Sequence, residues 1–379
     1  MLHSKCVPAL AVGAALVAGL PGLAARTGAQ VVEAQIPKTD LLVQTRSMEQ
    51  PQPSAYPVKL PDGNTLEMLP VLGNVYMLAG GASNIAVQVG GEGVLVVDTA
   101  TVASSDMVLQ AIRTVTTRPI AYIITTSPDP DHFGGNEKIG NAGQNPTQAP
   151  RGLAGPGSIP PDNNGGGGNN PGQLRPMGAI VFAHENTLNR MSAPTGEKSE
   201  VPFALWPSNT FFTPRKTLYF NDEPIELHYA PNAHTDGDVM VFFRKSDVIA
   251  TGDVISTLGY PMLDLKKGGG IDGELAALNA VIDIAVPHFN QQGGTRIVPG
   301  HGRILNEADV VEYRDMVTII HDRVKLGIGK GMSLAQIKAQ KPTFDYDGLY
   351  SKAGWTGEMF VDAIFADLSK AAPRTAIRN

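Results

Sequence analysis

Cysteine is nearly absent from this sequence. The 379 residues include one cysteine, Cys6, which stands close to the N-terminus. A single thiol excludes an intramolecular disulfide, and because Cys6 falls inside a predicted signal segment, the mature chain would carry no thiol at all. Cysteine is therefore excluded as a metal ligand and as a nucleophile in the mature chain, although export to an oxidising compartment usually permits disulfides.

Aromatic residues and concentrated charge are also scarce. Aromatic side chains make up 6% of the sequence and charged residues 17%, with a net charge of −6 and no block rich in Lys and Arg. A basic block is the usual footprint of a nucleic-acid-binding protein, so we expect no nucleic-acid partner. The chain is 42% apolar, which is enough for a sizeable core in one large domain or two smaller ones.

The N-terminus has the pattern of a secretory signal. Residues 1–29 combine a positive start at Lys5, an apolar stretch over 7–25 and small residues up to Ala29. An uncleaved membrane anchor is the alternative, but the stretch is rich in Ala and Gly and interrupted by prolines. We therefore expect a periplasmic or secreted protein without stable membrane association after cleavage, followed by an extended segment over 30–65.

Apolar patterning over the rest of the chain predicts alternating strands and helices, which indicates a layered α/β architecture. Runs typical of strands occupy 84–89, 93–98, 120–125, 179–183, 217–220, 225–229, 239–243, 248–251 and 296–298. Helical spacing is found over 104–115 and 273–284, after Asn306, and after Ser333 in a capping-box pattern with Gln336.

Glycine and proline, which total 42 and 29 residues, are concentrated in one place. Residues 140–176 contain the run NNGGGGNNPG and several prolines, with almost no apolar periodicity. This composition predicts a disordered surface insertion.

Four short polar segments each follow a predicted strand. They are TSPDPDHFGGN at 126–136, AHTDGD at 233–238, TGD at 251–253 and PGHG at 299–302. Carboxylate and imidazole ligands on loops at strand ends are what a hydrolytic dinuclear metal site requires, and glycines allow the backbone close to the metal.

In this order and spacing, the four segments resemble the metallo-β-lactamase superfamily. Its signature T-H-x-H-x-D-H-x-G-G precedes three single ligands, a His, an Asp and a His. The matching residues are Asp131, His132, Gly134, Gly135, His234, Asp253 and His301. The resemblance implies a four-layer αβ/βα sandwich over 66–305, with Asp98 supporting the site from behind, and a helical C-terminal extension over 306–379.

The sequence departs from the family at one metal site. The first two histidines of the signature fall on Ser127 and Asp129. In the family these two positions and the histidine at 234 hold the first metal, so that site is incomplete, although Asp129 can still ligate and a serine hydroxyl is a poor ligand. The second site, Asp131, His132 and His301, is complete, and Asp253 would bridge both.

The resemblance implies an exported metal-dependent hydrolase with a small-molecule substrate. Asp131 would orient the attacking hydroxide. We expect one tightly bound zinc ion and a second, weaker one, with manganese or iron as alternatives because the first site is rich in oxygen ligands. An aspartate at 253 argues for an ester, thioester, lactone or related bond over a β-lactam, by family analogy.

Two alternatives remain on the same fold. The first is a non-catalytic or binding protein with a degenerate metal site. The second is a redox protein with an iron centre, which is disfavoured because the persulfide-oxidising relatives use the histidine that is Ser127 here. The remaining histidines are expected to be structural or on the surface, with His184 as the strongest further candidate; they are His184, His228, His288 and His321.

Overall fold

Two β-sheets with helices on their outer faces form the part of the chain that the structure describes. The computed structural model describes residues 58–59, 65–146, 178–193, 197–287 and 293–371, all within one compact unit, Gln50–Asn379. The predicted signal segment, residues 147–176 of the predicted insertion and His288 lie outside the described residues.

The first sheet contains the strands of the N-terminal half in sequence order. These are β1 Val58–Lys59, β2 Thr65–Leu72, β3 Val75–Ala79, β4 Ile85–Val89, β5 Val94–Val97, β6 Ile120–Ile124, β7 Ile180–His184 and β8 Asn209–Phe211. The sheet is antiparallel up to β5 and parallel from β5 to β8. The predicted hairpin is confirmed, because Val89 pairs with Val94 across Gly90 and Gly91.

The second sheet has the order β13-β12-β11-β10-β9. Its strands are β9 Arg215–Phe220, β10 Glu223–Ala230, β11 Asp238–Phe243, β12 Val248–Ser256 and β13 Arg296–His301. Neighbouring strands are antiparallel except β12 and β13, which run parallel. Gly252 of the TGD segment pairs with Pro299 of the PGHG segment, so these two segments lie side by side.

Helices follow most of the parallel strands and make up most of the C-terminal region. They are α1 Ser105–Val115, α2 Pro130–Phe133, α3 Asn136–Asn141, α4 Glu185–Met191, α5 Ile271–Ile284, α6 Glu307–Gly329, α7 Leu334–Ala339, α8 Asp347–Tyr350 and α9 Gly357–Ala371. The predicted caps are confirmed at Asn306, which pairs with Asp309, and at Ser333, which pairs with Gln336. None of the helices in the described ranges combines the length and apolar character needed to cross a membrane.

Three apolar clusters define the layers. Strand β5 lies between two of these clusters, because side chains alternate across a strand. Leu95 and Val97 pack between the two sheets, whereas Val94 and Val96 pack against α1 on the outer face. The third cluster joins the second sheet to α5, α6 and α9. The predicted four-layer αβ/βα sandwich is therefore confirmed, and the C-terminal helices form its outer layer together with α5.

Candidate metal centre

The four polar segments meet at one edge of the two sheets. The six predicted ligands form two groups, each with its ligand atoms within 4.8 Å of one another: Asp131, His132 and His301 in one, and Asp129, His234 and Asp253 in the other. The first group takes residues from α2 and the end of β13, and the second joins the loop before α2, the loop before β11, and β12. The structure thus brings together every residue that the sequence predicts as a ligand.

His132 is held from behind by Asp98, as the resemblance implies. Both side chains are buried, and His132 Nδ1 lies 2.8 Å from Asp98 Oδ2. Thr126 donates to the same carboxylate from its backbone N–H at 2.8 Å and from its hydroxyl at 2.7 Å. Because a carboxylate can only accept, a proton of the imidazole sits on Nδ1, which leaves Nε2 as the nitrogen that can bind a metal ion.

The backbone at Asp98 also adopts an uncommon conformation. Its φ of 66° lies in the left-handed region, and so does that of Ala100 at 53°. Such conformations are uncommon for residues other than glycine and cluster at functional sites, where the surrounding structure enforces them.

The residues of the first group suit a metal ion. Nε2 of His132 is completely buried and lies 3.0 Å from Asp253 Oδ2 and 3.9 Å from Asp131 Oδ2. Nε2 of His301 lies 3.4 Å from Asp131 Oδ2, so two imidazole nitrogens and one carboxylate converge on one point.

Asp253 stands between the two groups. One of its oxygens lies 3.0 Å from His301 Nε2, and the other lies 3.0 Å from His132 Nε2 and 3.6 Å from His234 Nε2. This position agrees with the bridging role that the resemblance implies. Gly300 permits it, because a Cβ at that position would lie 2.7 Å from Asp253 Oδ1.

The second group is already paired within the protein. Ser127 donates to Asp129 Oδ2 at 2.6 Å, and Nε2 of His234 lies 2.9 Å from the same oxygen. The ammonium of Lys267 forms an ion pair with the other oxygen of Asp129. A metal ion bound here would have to displace the ammonium of Lys267, and Ser127 supplies no imidazole, so the residues present do not suit a tight metal ion at this group.

Burial and mutual charge shift the pKa values across the centre. Burial would lower the pKa of His234, but the hydrogen bond to Asp129 and the charge of Asp253 raise it to about 10. Burial also opposes ionisation of Asp129, yet its contacts with His234, Lys267 and Ser127 hold its pKa well below the ordinary value. Burial and the charge of Asp253 raise the pKa of Asp131. The carboxylates therefore draw cations to the centre, as protons on imidazole or as a metal ion.

A family comparison agrees with this geometry. The model of the metallo-beta-lactamase superfamily matches residues 78–301 of the chain. The chain belongs to this superfamily. No curated protein matches the chain significantly.

Two solved structures are similar to this chain at low sequence identity. The stereoselective inverting sec-alkylsulfatase Pisa1 from Pseudomonas sp. is 13% identical with a TM-score of 0.55, and 88% of this chain aligns with 62% of that one. A metallo-beta-lactamase from Pontibacter korlensis is 15% identical with a TM-score of 0.45, covering 67% of this chain and 99% of that one. The chain thus spans less than two thirds of the length of the alkylsulfatase.

A cleft of about 880 Å³ opens onto the candidate metal centre. Asp129, Asp131, His234, Asp253 and His301 form its floor. The walls come from the loop after β12 and from the C-terminal region, with apolar residues that include Leu258, Met262, Leu263, Trp355 and Met359. The C-terminal helices therefore contribute to the site as well as to the outer layer.

Lys267 is the residue of the centre that sequence reasoning missed. It lies in the loop between β12 and α5, within the run Lys266-Lys267-Gly268-Gly269-Gly270. Lysine is not part of the family signature, and its partner Asp129 is 138 residues away in sequence. The glycine run was the available signal, because it allows the loop to approach His234.

The described histidines outside the motifs have structural contacts. His184 caps α4 and stacks on Tyr229, with ring centroids 3.7 Å apart. His228 pairs with Glu226 on β10 at 3.0 Å, and His321 is buried in α6 beside Asp322. Neither metal-ligand group includes them.

Proposed function

We propose that the chain is an exported metal-dependent hydrolase that directs activated water at an ester, thioester, lactone or related bond of a small molecule. The observation that carries the proposal is the convergence of Asp131, His132 and His301, whose ligand atoms lie within 4.8 Å of one another, with Asp253 3.0 Å from both imidazole Nε2 atoms. Two imidazoles and carboxylate oxygens are a ligand set that a catalytic zinc ion uses.

The residues of the centre would divide the work. Asp131, His132 and His301 would hold the metal ion, with Asp253 beside them. The ion supplies a Lewis acid that lowers the pKa of water to about 7. Asp131, with 30% of its side chain exposed, would orient the attacking water and accept its proton. Asp98 would keep His132 in the required tautomer.

The shape of the cleft bears on the substrate. Its apolar wall includes side chains that are partly exposed in this structure, among them Met262 at 54% and Leu258 at 48%. Exposed apolar side chains beside a polar floor suit a substrate with an apolar group next to the bond that is cleaved. We propose zinc as the native ion, with manganese or iron as alternatives.

Metal content and hydrolysis test this proposal together. The protein is purified from medium supplemented with zinc, manganese and iron, and its metals are counted by mass spectrometry. Hydrolysis is then measured with p-nitrophenyl carboxylic esters of increasing chain length, a thioester, a lactone, and a secondary alkyl sulfate suggested by the alkylsulfatase neighbour. We expect at least one bound metal ion per chain, and chelator-sensitive hydrolysis that improves with apolar chain length.

Matched histidine variants give the control. His301→Ala should abolish both tight metal binding and hydrolysis, since it removes a proposed ligand. His228→Ala, on β10 and paired with Glu226, should change neither. Absence of bound metal under these replete conditions would instead favour a binding protein, and retained metal with an iron-dependent redox activity would favour the redox alternative.

A further inference from the structure

We propose that the ammonium of Lys267 takes the place of the first metal ion, so that the centre contains one metal ion and one built-in lysine cation. The inference rests on the proposed function for the other ion, which Asp131, His132 and His301 would hold. It concerns the group of Asp129 and His234, where the family signature would place its first metal.

The contacts of Asp129 support this assignment. Both of its oxygens have partners in the described structure, because Lys267 contacts Oδ1 while Ser127 and His234 contact Oδ2 at 2.6 and 2.9 Å. The carboxylate is thereby neutralised by a charge from within the chain. Ser127 replaces a histidine of the signature. Its side chain is completely buried, and its hydroxyl donates a hydrogen bond to Asp129.

The loop that carries Lys267 is fixed against the segment that carries His234. The backbone N–H of Asp236 donates to Lys267 O at 2.9 Å, and the N–H of Asp264 donates to His234 O at 2.9 Å. At Gly269 a Cβ would collide with the carbonyl oxygen of His234. The side chain of Asp264, 3.4 Å from the Lys267 ammonium, adds a second anchor. The ammonium of Lys267 is therefore held between the carboxylates of Asp129 and Asp264.

Electrostatics explains why a lysine and a metal ion exclude each other here. A divalent ion at Asp129 and His234 would lie within a few ångströms of the ammonium of Lys267, whose side chain is 31% exposed and only partly screened by water. Coulomb repulsion between a double and a single positive charge at about 4 Å lowers cation affinity by roughly tenfold or more. Removing the ammonium removes this repulsion and frees one oxygen of Asp129.

Zinc titration against a chelating indicator tests the inference with two lysine variants. Lys267→Met removes the charge and keeps an apolar stem. Lys266→Met is the matched control, because Lys266 is the exposed neighbour and Asp129 has its ion pair with Lys267. We expect one tight zinc ion per chain in the wild type and in Lys266→Met. In Lys267→Met a second ion should bind at least about tenfold more tightly than in the wild type.

The outcomes separate this inference from the proposed function. Two equally tight ions in the wild type, or a second ion in Lys267→Met that binds no more tightly than in the wild type, would overturn the inference alone. No tight ion in the wild type would overturn the proposed function and the inference with it. If Lys267→Met does not fold, as judged by circular dichroism, Lys267→Gln is titrated in its place, because its amide can still donate to Asp129 without a charge.

Discussion

Glu274 is a fully buried carboxyl group in α5, and neither of its oxygens makes a hydrogen bond. Burial, together with the charges of Asp238 and Asp253, raises its pKa well above the ordinary value. Burial also raises the pKa of Asp238 to about 7, although Thr235 donates two hydrogen bonds to it. Two acidic groups near the candidate metal centre therefore keep their protons in the folded protein at pH values where the unfolded chain would release them.

The sign of the resulting pH dependence follows from proton linkage. Between the ordinary pKa of an acid and a raised folded value, the folded state binds more protons than the unfolded state, so the free energy of unfolding falls as the pH rises. For Asp238 this window runs from 3.8 to about 7. For Glu274 the loss of stability also begins near its ordinary value of 4.5.

Glu274→Gln should therefore stabilise the protein at high pH. The amide has the shape of the protonated carboxyl group and cannot ionise, so the free energy of unfolding should match the wild type near pH 4. At pH 8 it should exceed that of the wild type by at least about 1 kcal/mol. Urea unfolding at the two pH values measures this, with Glu312→Gln on the exposed face of α6 as the control. Equal pH dependence in Glu274→Gln and wild type would show that Glu274 ionises freely in the folded state.

At the residue scale, the motifs predict six candidate ligands, and the structure brings their side chains together in two groups. Each candidate stands in a short segment of fixed spacing that follows a run typical of a strand. Asp98 followed from the resemblance alone. Lys267 was not predictable, because its role depends on a loop that reaches Asp129 across 138 residues of sequence, and Ser127 was expected to be a poor ligand without any indication that it donates to Asp129.

At the scale of elements, the parallel pair β12 and β13 sets the geometry of the centre. Asp253 lies on β12, and His301 ends β13 directly after Gly300. A Cβ at position 300 would lie 2.7 Å from Asp253 Oδ1 and equally close to the carbonyl oxygen of Gly252. The two strands can approach this closely only because position 300 has no side chain.

Gly300→Ala should accordingly cost about 1–3 kcal/mol of stability through overpacking and weaken metal binding, because Asp253 must move. Gly329→Ala makes the same change at the end of α6, where nothing lies within 4 Å of the added Cβ. Alanine is the better helix former, so that control should be neutral or stabilising by up to about 1 kcal/mol. Thermal unfolding and zinc titration measure both variants. Equal behaviour of the two would contradict the close approach of the strands.

The apolar pattern predicts most of the strands in the described residues and misses four, which are β1, β2, β3 and β8. The runs at 84–89, 120–125 and 239–243 were found because they are short, apolar and bounded by turn residues. Strands β2 and β3 were not predicted, since Pro70 interrupts the apolar run of β2 and the register shifts between Pro70 and Leu72. Strand β3 pairs with both β2 and β4, and a local pattern does not show this pairing.

At the scale of the whole molecule, the C-terminal helices connect the core to the cleft. Phe360 of α9 is fully buried and stacks on Tyr260, with ring centroids 5.1 Å apart. Its neighbour Met359 is 40% exposed and lines the cleft. Two successive residues of α9 therefore have different roles: Phe360 packs in the outer apolar cluster, and Met359 lines the proposed substrate site.

Substitutions of these two neighbours should separate stability from substrate binding. Phe360→Ala should cost about 3–5 kcal/mol, the usual result of removing a buried aromatic side chain. Met359→Ala should leave stability within about 0.5 kcal/mol of the wild type and raise KM for substrates with an apolar chain. Urea unfolding and steady-state kinetics measure the two effects. A large loss of stability in Met359→Ala would place that side chain in the core instead of the cleft.

The position of the metal ion tests the central claim most directly. Crystals grown with zinc and measured at the zinc absorption edge would show the ion by its anomalous scattering. We predict one strong peak per chain, about 2.0–2.2 Å from an oxygen of Asp131 and from one nitrogen each of His132 and His301, with Lys267 still against Asp129. A stronger peak between Asp129 and His234, or no peak at the centre, would contradict this account.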